Sequence, residues 1–152
     1  MNNSIYLEKK RLDYAFKLID NVSDEETKSH LSRYLCVLVS GFIENSIKIL
    51  LYEYANRNSS PKIVNYIQSK LNNIRNLNYE RIKQILSSFS EEWFESFENK
   101  IEIDEKDALD SVIANKNNIA HGKSVGLTYV RIKDYYEKIV TIINNIDDAC
   151  IK

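Results

Sequence analysis

The longest apolar stretch of the chain is Tyr34–Leu51, with the sequence YLCVLVSGFIENSIKILL. Apolar residues recur in it at intervals of three and four, which predicts a helix rather than a strand. Most of them share one side of that helix, whereas Val37 and Leu51 lie on the opposite side. The helix is therefore expected either to be central to the fold or to be shared with a second subunit. The positions on the main apolar side are Leu35, Val39, Phe42, Ile43, Ser46 and Leu50.

Polar residues interrupt this stretch, whereas a membrane-spanning helix needs about 20 consecutive, mainly apolar residues. The interruptions are Ser40, Gly41, Glu44, Asn45 and Lys48. A buried helix is therefore expected, with no membrane contact. The amino-terminal segment lacks the continuous apolar region of a signal peptide, so a cytoplasmic location is expected.

The composition favours a helical fold over the whole chain. Of its 152 residues, 43% are hydrophobic and 28% are charged, as in ordinary soluble globular proteins. The chain contains 3 Gly and 1 Pro, where average usage gives about 11 and 8. Sandwiches, barrels and dinucleotide-binding folds need many tight turns, so we expect an all-α fold. The length fits one domain, residues 1–152.

Capping residues and apolar periodicity predict a series of helices along the chain. Predicted core positions include Leu7 in the first helix, Ile63 after Pro61, and Ala120 before a glycine stop at Gly122. Two helices are predicted with both ends, Ser4–Asn21 and Asp104–His121. A capping box at Ser23 and Glu26 opens a long helix to Asn56. The other helix starts are predicted at Ser60-Pro61, Asn78, Ser90 and Thr128.

Charge is distributed unevenly, although the net charge is only −1. Residues 57–83 contain six basic residues and one acidic residue, a net charge of +5, whereas residues 91–110 contain nine acidic residues and two lysines, a net charge of −7. Two solvated faces that partly neutralise each other would account for this pattern. A basic track for a phosphate backbone is the functional alternative.

Few residues of the chain suit metal or redox chemistry. Cys36 and Cys150 are 114 positions apart and form no metal-binding pair, so Cys36 is expected to be a buried free thiol. His30 and His121 are the only histidines, which makes a multi-histidine metal site implausible within one chain. His30 is expected to be a surface residue. No metal and no cofactor are therefore expected.

The segment Asn115–Gly122, NKNNIAHG, has the most unusual residue pattern of the chain. At 100° per residue, Lys116 falls in the middle of the apolar stripe of its helix, and Asn117 and His121 lie side by side at i, i+4. A buried ammonium needs an anionic partner or an outlet to solvent, so a functional site is one interpretation. Alternatively, Lys116 extends its stem to water, and His121 interacts with the helix dipole.

At this segment the chain resembles the HEPN superfamily of helical ribonucleases, which carries the pattern R-N-x-x-x-H at the end of a helix. The match is KNNIAH (Lys116 to His121), with lysine in the place of arginine. The sequence around it is similar to the RiboL-PSP branch of this superfamily, and the similarity covers about three quarters of the chain. The similar stretches are GFIENSIKILLYEYA (41–55), SPKIVNYIQSKL (60–71), NYERIKQILSSF (78–89) and KDALDSVIANKNNIAHGKSVGLTYVRIKDYYEKIV (106–140).

The resemblance implies a HEPN-like up-and-down bundle of about five or six helices that dimerises, with the two motif histidines facing each other. It also implies metal-independent RNA cleavage, typically in toxin–antitoxin or antiphage systems, where an antitoxin or defence protein is a further partner. The expected roles are an acid or base for His121, a phosphate stabiliser for Lys116, and orientation of His121 or the phosphate for Asn117. Glu44 and Asn118 are expected to support the site, and Lys123 and Arg131 are expected to bind RNA.

Two points stay open at the level of sequence. Glu44 lies on the second face of the long helix and either holds Lys116 or pairs with Lys48 at i, i+4. The competing function is a catalytically weakened HEPN module that binds RNA or a partner protein, or a structural subunit of a defence complex.

Overall fold

The computed structural model describes residues 1–151 and folds them into seven α-helices. The fold is all-α, as predicted, with no strand in the described part of the chain. The number of helices exceeds the expected five or six, because every predicted start opens a helix of its own, including Ser90 before the short helix Glu91–Glu98. The helices are α1 (Asn3–Asp20), α2 (Glu25–Asn58), α3 (Pro61–Leu71), α4 (Tyr79–Phe89), α5 (Glu91–Glu98), α6 (Ile103–Ala120) and α7 (Tyr129–Ile151).

The long helix α2 is central to the bundle and contacts α1, α3, α6 and α7. Leu35, Cys36, Val39 and Leu51 are almost fully inaccessible to solvent, so residues from more than one side of the helix enter the core. Fully burying one Leu or Val side chain stabilises the fold by about 1.5–3 kcal/mol. The second face keeps some apolar positions exposed, among them Val37, which is 40% exposed.

By length and composition, α2 could also cross a membrane, and within residues 1–151 no other helix could. Just over half of its most apolar window is buried against the other helices. Core helices of soluble proteins share these properties, so the length and composition of α2 are weak grounds for a membrane span.

Most of the predicted helix starts are confirmed by their caps. Pro61 is the first residue of α3, and the Asn78 side chain accepts a hydrogen bond from the Arg81 amide at 2.9 Å. Ser90 and Thr128 cap α5 and α7 in the same way. Each side-chain oxygen satisfies an amide that the first turn of a helix leaves unpaired.

The predicted capping box at the start of α2 is wrong. The N-cap is Asp24, whose carboxylate accepts from the Thr27 amide at 2.8 Å. Hydrogen bonds from the side chain and the amide of Thr27 lower the pKa of Asp24. The adjacent Ser23 and Asp24 are both good caps, so the sequence pattern placed the start one residue early. The other predicted ends differ by one or two residues, as at α6, where the Glu105 carboxylate accepts from the Glu102 amide at 2.9 Å.

Three predicted core positions are exposed. Leu7 and Ile63 are each about half accessible to solvent, and Ala120 is exposed in the last turn of α6. Leu7 lies away from the buried side of α1, Ile63 lies at the edge of the buried side of α3, and Ala120 is the last residue of α6. In α1, Ile5 is instead fully buried, together with Leu12, Phe16 and Ile19.

The end of α6 is fixed by backbone hydrogen bonds beyond its last turn. The Gly122 amide donates to the Ile119 carbonyl at 3.0 Å, and the Lys123 amide donates to the Asn118 carbonyl at 2.8 Å. This pair of bonds is a Schellman motif, and it needs a residue with positive φ. Gly122 supplies it with φ of 71°, as its predicted role as helix stop requires.

We expect Gly122→Ala to lower the free energy of unfolding by about 1–2 kcal/mol, because a Cβ disfavours the left-handed conformation. Gly126→Ala is the matched control, since Gly126 lies in the same loop without positive φ, and its added Cβ meets open space. Chemical denaturation of both variants measures the difference. Equal stabilities would contradict this account of how α6 ends.

Candidate active site

Three separate elements bring the predicted site residues together at the carboxyl-terminal end of α6. Lys116 and Asn117 belong to the last two turns of α6, and His121 caps it. Glu44 comes from the middle of α2, and the loop between α3 and α4 contributes Asn76. Lys116, Asn117 and Glu44 are half-buried, whereas His121 is exposed.

Lys116 is held by two neutral side chains. Its Nζ donates to Asn76 Oδ1 at 2.9 Å and to Asn117 Oδ1 at 3.3 Å. An ammonium has three N–H donors, so one of them remains for a ligand. Within residues 1–151 no carboxylate lies within 4.0 Å of Lys116 Nζ, so the ammonium has no ion-pair partner there.

Glu44 reaches Lys116 only through Asn76. Its Oε1 accepts a hydrogen bond from the Asn76 amide at 3.0 Å, and the side chain of Asn76 in turn accepts from Lys116. Neither of the two expected direct pairs, Glu44 with Lys116 or Glu44 with Lys48, occurs among the ion pairs of the described residues. The α3–α4 loop lies between the two charged groups and separates them.

The His121 imidazole projects into solvent at the helix end. The backbone of His121 (φ −90°, ψ 11°) donates to the Asn117 carbonyl at 3.1 Å. Its ring makes no hydrogen bond within residues 1–151, and the Asn117 side-chain oxygen is occupied by Lys116. Asn117 therefore contacts the lysine rather than the histidine in this structure. Lys116 and His121 are separated by about 7.5 Å along the helix axis, at 1.5 Å per residue.

The remaining predicted residues lie around this end of the bundle. Asn118 is half-buried and contributes its carbonyl to the Schellman motif. Lys123 and Arg131 are exposed, and the Arg131 guanidinium lies 5.9 Å from the centre of the Tyr135 ring. Within residues 1–151 neither cation pairs with a carboxylate, so both are available to an anion. His30 is exposed on α2, as predicted.

The basic and acidic segments do not neutralise each other through ion pairs. The ion pairs of Arg57 and Lys83 are with Glu53 and Glu80, outside the acidic segment. The acidic segment instead accepts hydrogen bonds from Tyr79, whose amide donates to Asp110 at 2.8 Å and whose hydroxyl donates to Glu98. Over the described residues, Lys62, Lys70 and Arg75 have no ionic partner, so these three cations are available to an anion.

Cys36 is buried near the site, but its thiol is not expected to be reactive. Its Sγ donates to the Val112 carbonyl at 3.5 Å, which links α2 to α6. Burial raises the pKa of the Cys36 thiol to about 12, although the charge of Lys116 acts in the opposite direction. Burial also raises the pKa of Cys150 to about 12. Among residues 1–151 no group of three or more His, Cys, Asp or Glu side chains could hold a metal ion.

Sequence reasoning missed Asn76. It lies 40 positions from Lys116, so no spacing rule connects the two residues. A local signal did exist, because asparagine is enriched at positive φ in loops. That signal identifies a turn, but it cannot reveal which helix the turn approaches.

Fold and site together define a helical domain of the HEPN class. The RiboL-PSP-HEPN family model matches residues 3–152, and the chain belongs to that family. A HEPN domain is a soluble fold. Membership indicates a function related to RNA cleavage or to nucleotide binding. No curated protein and no solved structure matches the chain.

We expect both thiols to resist modification in the folded protein, because the reactive thiolate is scarce when the pKa is near 12. A chromogenic disulfide reagent at about pH 8 should detect almost no thiol before denaturation and both thiols after it. Rapid labelling of Cys36 in the native protein would show that α2 and α6 separate more readily than their packing indicates.

Proposed function

We propose that this protein is a metal-independent endoribonuclease whose active site contains Lys116, Asn117 and His121. The observation that carries the proposal is the position of the Lys116 ammonium, which has no ion-pair partner in the described residues and is held by the amide oxygens of Asn76 and Asn117. It lies at the same end of α6 as an exposed histidine. A fixed cation stabilises the charge that develops on a phosphate, and a histidine exchanges protons near neutral pH.

RNA supplies its own nucleophile in this reaction. A histidine removes the proton of the 2′-OH, the 2′ oxygen attacks the adjacent phosphorus, and the bond from phosphorus to the 5′ oxygen breaks. A second acid protonates the leaving 5′ oxygen. The products are a 2′,3′-cyclic phosphate and a 5′-OH end, so no water molecule is consumed in the step.

A homodimer would supply the second proton-transfer group, because His30 lies on α2, outside the cluster around Lys116. We propose that α2 forms the interface through its exposed stripe, which includes Tyr34, Val37 and Tyr52. Gly41 lies within the stripe, and a Cβ there would meet open space. A glycine inside a helix costs about 0.5–1 kcal/mol relative to alanine, and close approach of a partner helix is a reason to keep it.

We propose that RNA approaches along α3. No acidic residue occurs between Glu53 and Glu80. Lys62, Tyr66 and Lys70 are exposed and share one face of α3 at spacings of four residues. Lysines can bind phosphates, and an exposed tyrosine can stack on an unpaired base. The α3–α4 loop follows this face and leads to Lys116, while Lys123 and Arg131 extend the basic surface beyond the site.

The proposed setting is a cytoplasmic toxin or antiphage effector that an antitoxin or defence protein restrains. The second candidate is an RNA-binding or protein-interaction module without cleavage activity. The identity of residue 116 favours this alternative, since lysine lacks the planar fork with which arginine grips a phosphate. RNA cleavage by the wild type, compared with cleavage by His121 and Lys116 variants, separates the two candidates.

We expect purified protein to cleave RNA in the presence of EDTA and His121→Ala to lower the rate by about 10²- to 10⁴-fold, the usual contribution of a general acid or base. His30→Ala is the matched control, because it removes the other histidine of the chain from an exposed position. Equal cleavage by the wild type and His121→Ala would indicate a contaminating nuclease and refute the assignment.

Lys116→Ala should slow single-turnover cleavage by about 10²- to 10³-fold, by analogy with the loss of one oxyanion donor. Lys116→Arg should preserve or raise the rate, since a guanidinium can form two parallel bonds to phosphate oxygens. Thermal melting shows whether both variants fold. If both variants cleave within a few-fold of the wild type, Lys116 does not belong to the active site.

Val37→Arg should convert the dimer to a monomer and abolish cleavage, because it buries a charge in the proposed interface. Ile103→Arg is the control, since Ile103 is more exposed but lies at the opposite end of α6. Light scattering at micromolar concentration measures the mass. A wild type that remains monomeric yet cleaves RNA would rule out a composite site.

A further inference from the structure

Asn76 is the only residue of the α3–α4 loop that hydrogen-bonds to both α2 and α6. Its amide donates to Glu44 Oε1 at 3.0 Å, its side-chain Oδ1 accepts from Lys116 Nζ at 2.9 Å, and its carbonyl accepts from the Asn78 amide at 2.8 Å. One residue in this loop thus connects a carboxylate of α2 to an ammonium of α6.

The backbone of Asn76 has the conformation that this double contact requires. Its φ is 55°, and within residues 1–151 no other non-glycine residue has positive φ. Such a conformation costs free energy for most side chains and least for asparagine and glycine. Buried Ile74 and Leu77 fix the chain on both sides, and Arg75 donates from Nη1 to the Ile74 carbonyl at 2.7 Å. The surrounding loop therefore holds Asn76 in place.

The electrostatic consequence is that the two charges stay apart. One carboxylate oxygen of Glu44 accepts from a backbone amide, and one N–H of the Lys116 ammonium donates to a neutral oxygen. A direct ion pair would partly cancel the positive charge and hold the ammonium away from a phosphate. An amide in the same place anchors the lysine and leaves its charge available.

We propose that Asn76 is a positioning residue that keeps Glu44 from pairing with Lys116 and thereby keeps the ammonium available to the RNA phosphate. This inference rests on the proposed ribonuclease function. Without the Asn76 side chain, the second carboxylate oxygen of Glu44 can accept from Lys116 while Oε1 stays on the residue 76 amide, and the site loses its free cation. Asn76 acts through Lys116 and need not touch the RNA.

Asn76→Gly tests the proposal with little strain, because glycine readily adopts positive φ and keeps the amide that binds Glu44. We expect a loss of at least about tenfold in kcat with KM changed less, since Lys116 acts chiefly in the transition state. Asn72→Gly is the matched control, a second exposed asparagine of the same loop that makes no side-chain contact with the site.

The double variant Glu44→Gln with Asn76→Gly distinguishes positioning from a general loss of structure. If capture of Lys116 by Glu44 causes the defect, removing the carboxylate charge should restore most of the rate. A defect that persists unchanged in the double variant would overturn the proposal, as would an Asn76→Gly enzyme that matches the wild type.

A second measurement does not depend on RNA cleavage. The rate at which an amine-acylating reagent modifies Lys116 can be followed by mass spectrometry. It should fall several-fold in Asn76→Gly, because Glu44 then pairs with the ammonium, and it should return toward the wild-type rate in the double variant. That result in a wild type without nuclease activity would refute the proposed function and leave the positioning role intact. Identical acylation in all variants would refute the positioning role.

Discussion

The packing of α2 against four other helices is the constraint on which the rest of the structure depends. Because this helix supplies core residues on several sides, its neighbours have fixed positions around it. The Cys36 thiol meets the Val112 carbonyl of α6, and Glu44, two turns further along α2, meets the loop after α3. The apolar core therefore sets the distance between α2 and the end of α6, where the polar contacts of the site lie.

The site places one cation in a neutral environment. Lys116 is bound by two carboxamide oxygens, and the nearest acid of this network, Glu44, is engaged by a backbone amide. Lysine suits this arrangement because its compact ammonium has three donors and can leave one for a ligand. An arginine in the same place would bring a planar, five-donor group, which prefers bidentate partners such as carboxylates and phosphates.

The sequence predicts the helices better than it predicts the contacts between them. Asn78, Ser90, Thr128 and Gly122 act locally, so their roles as caps and helix stop could be read from the residues alone. The start of α2 was placed incorrectly, because two neighbouring residues have equal capping ability. The site shows the same division. The KNNIAH segment placed Lys116, Asn117 and His121 on one helix end, but the contact with Asn76 depends on how a distant loop packs.

Identification of the RNA ends produced in EDTA tests the central claim most directly, because it reports the bond that breaks and the nucleophile. Our account predicts a 2′,3′-cyclic phosphate and a 5′-OH end from wild-type protein, and no cleavage at a site whose 2′-OH is replaced by hydrogen. The same ends should be absent with His121→Ala. Products with a 3′-OH and a 5′-phosphate, or cleavage of the 2′-deoxy site, would contradict the account.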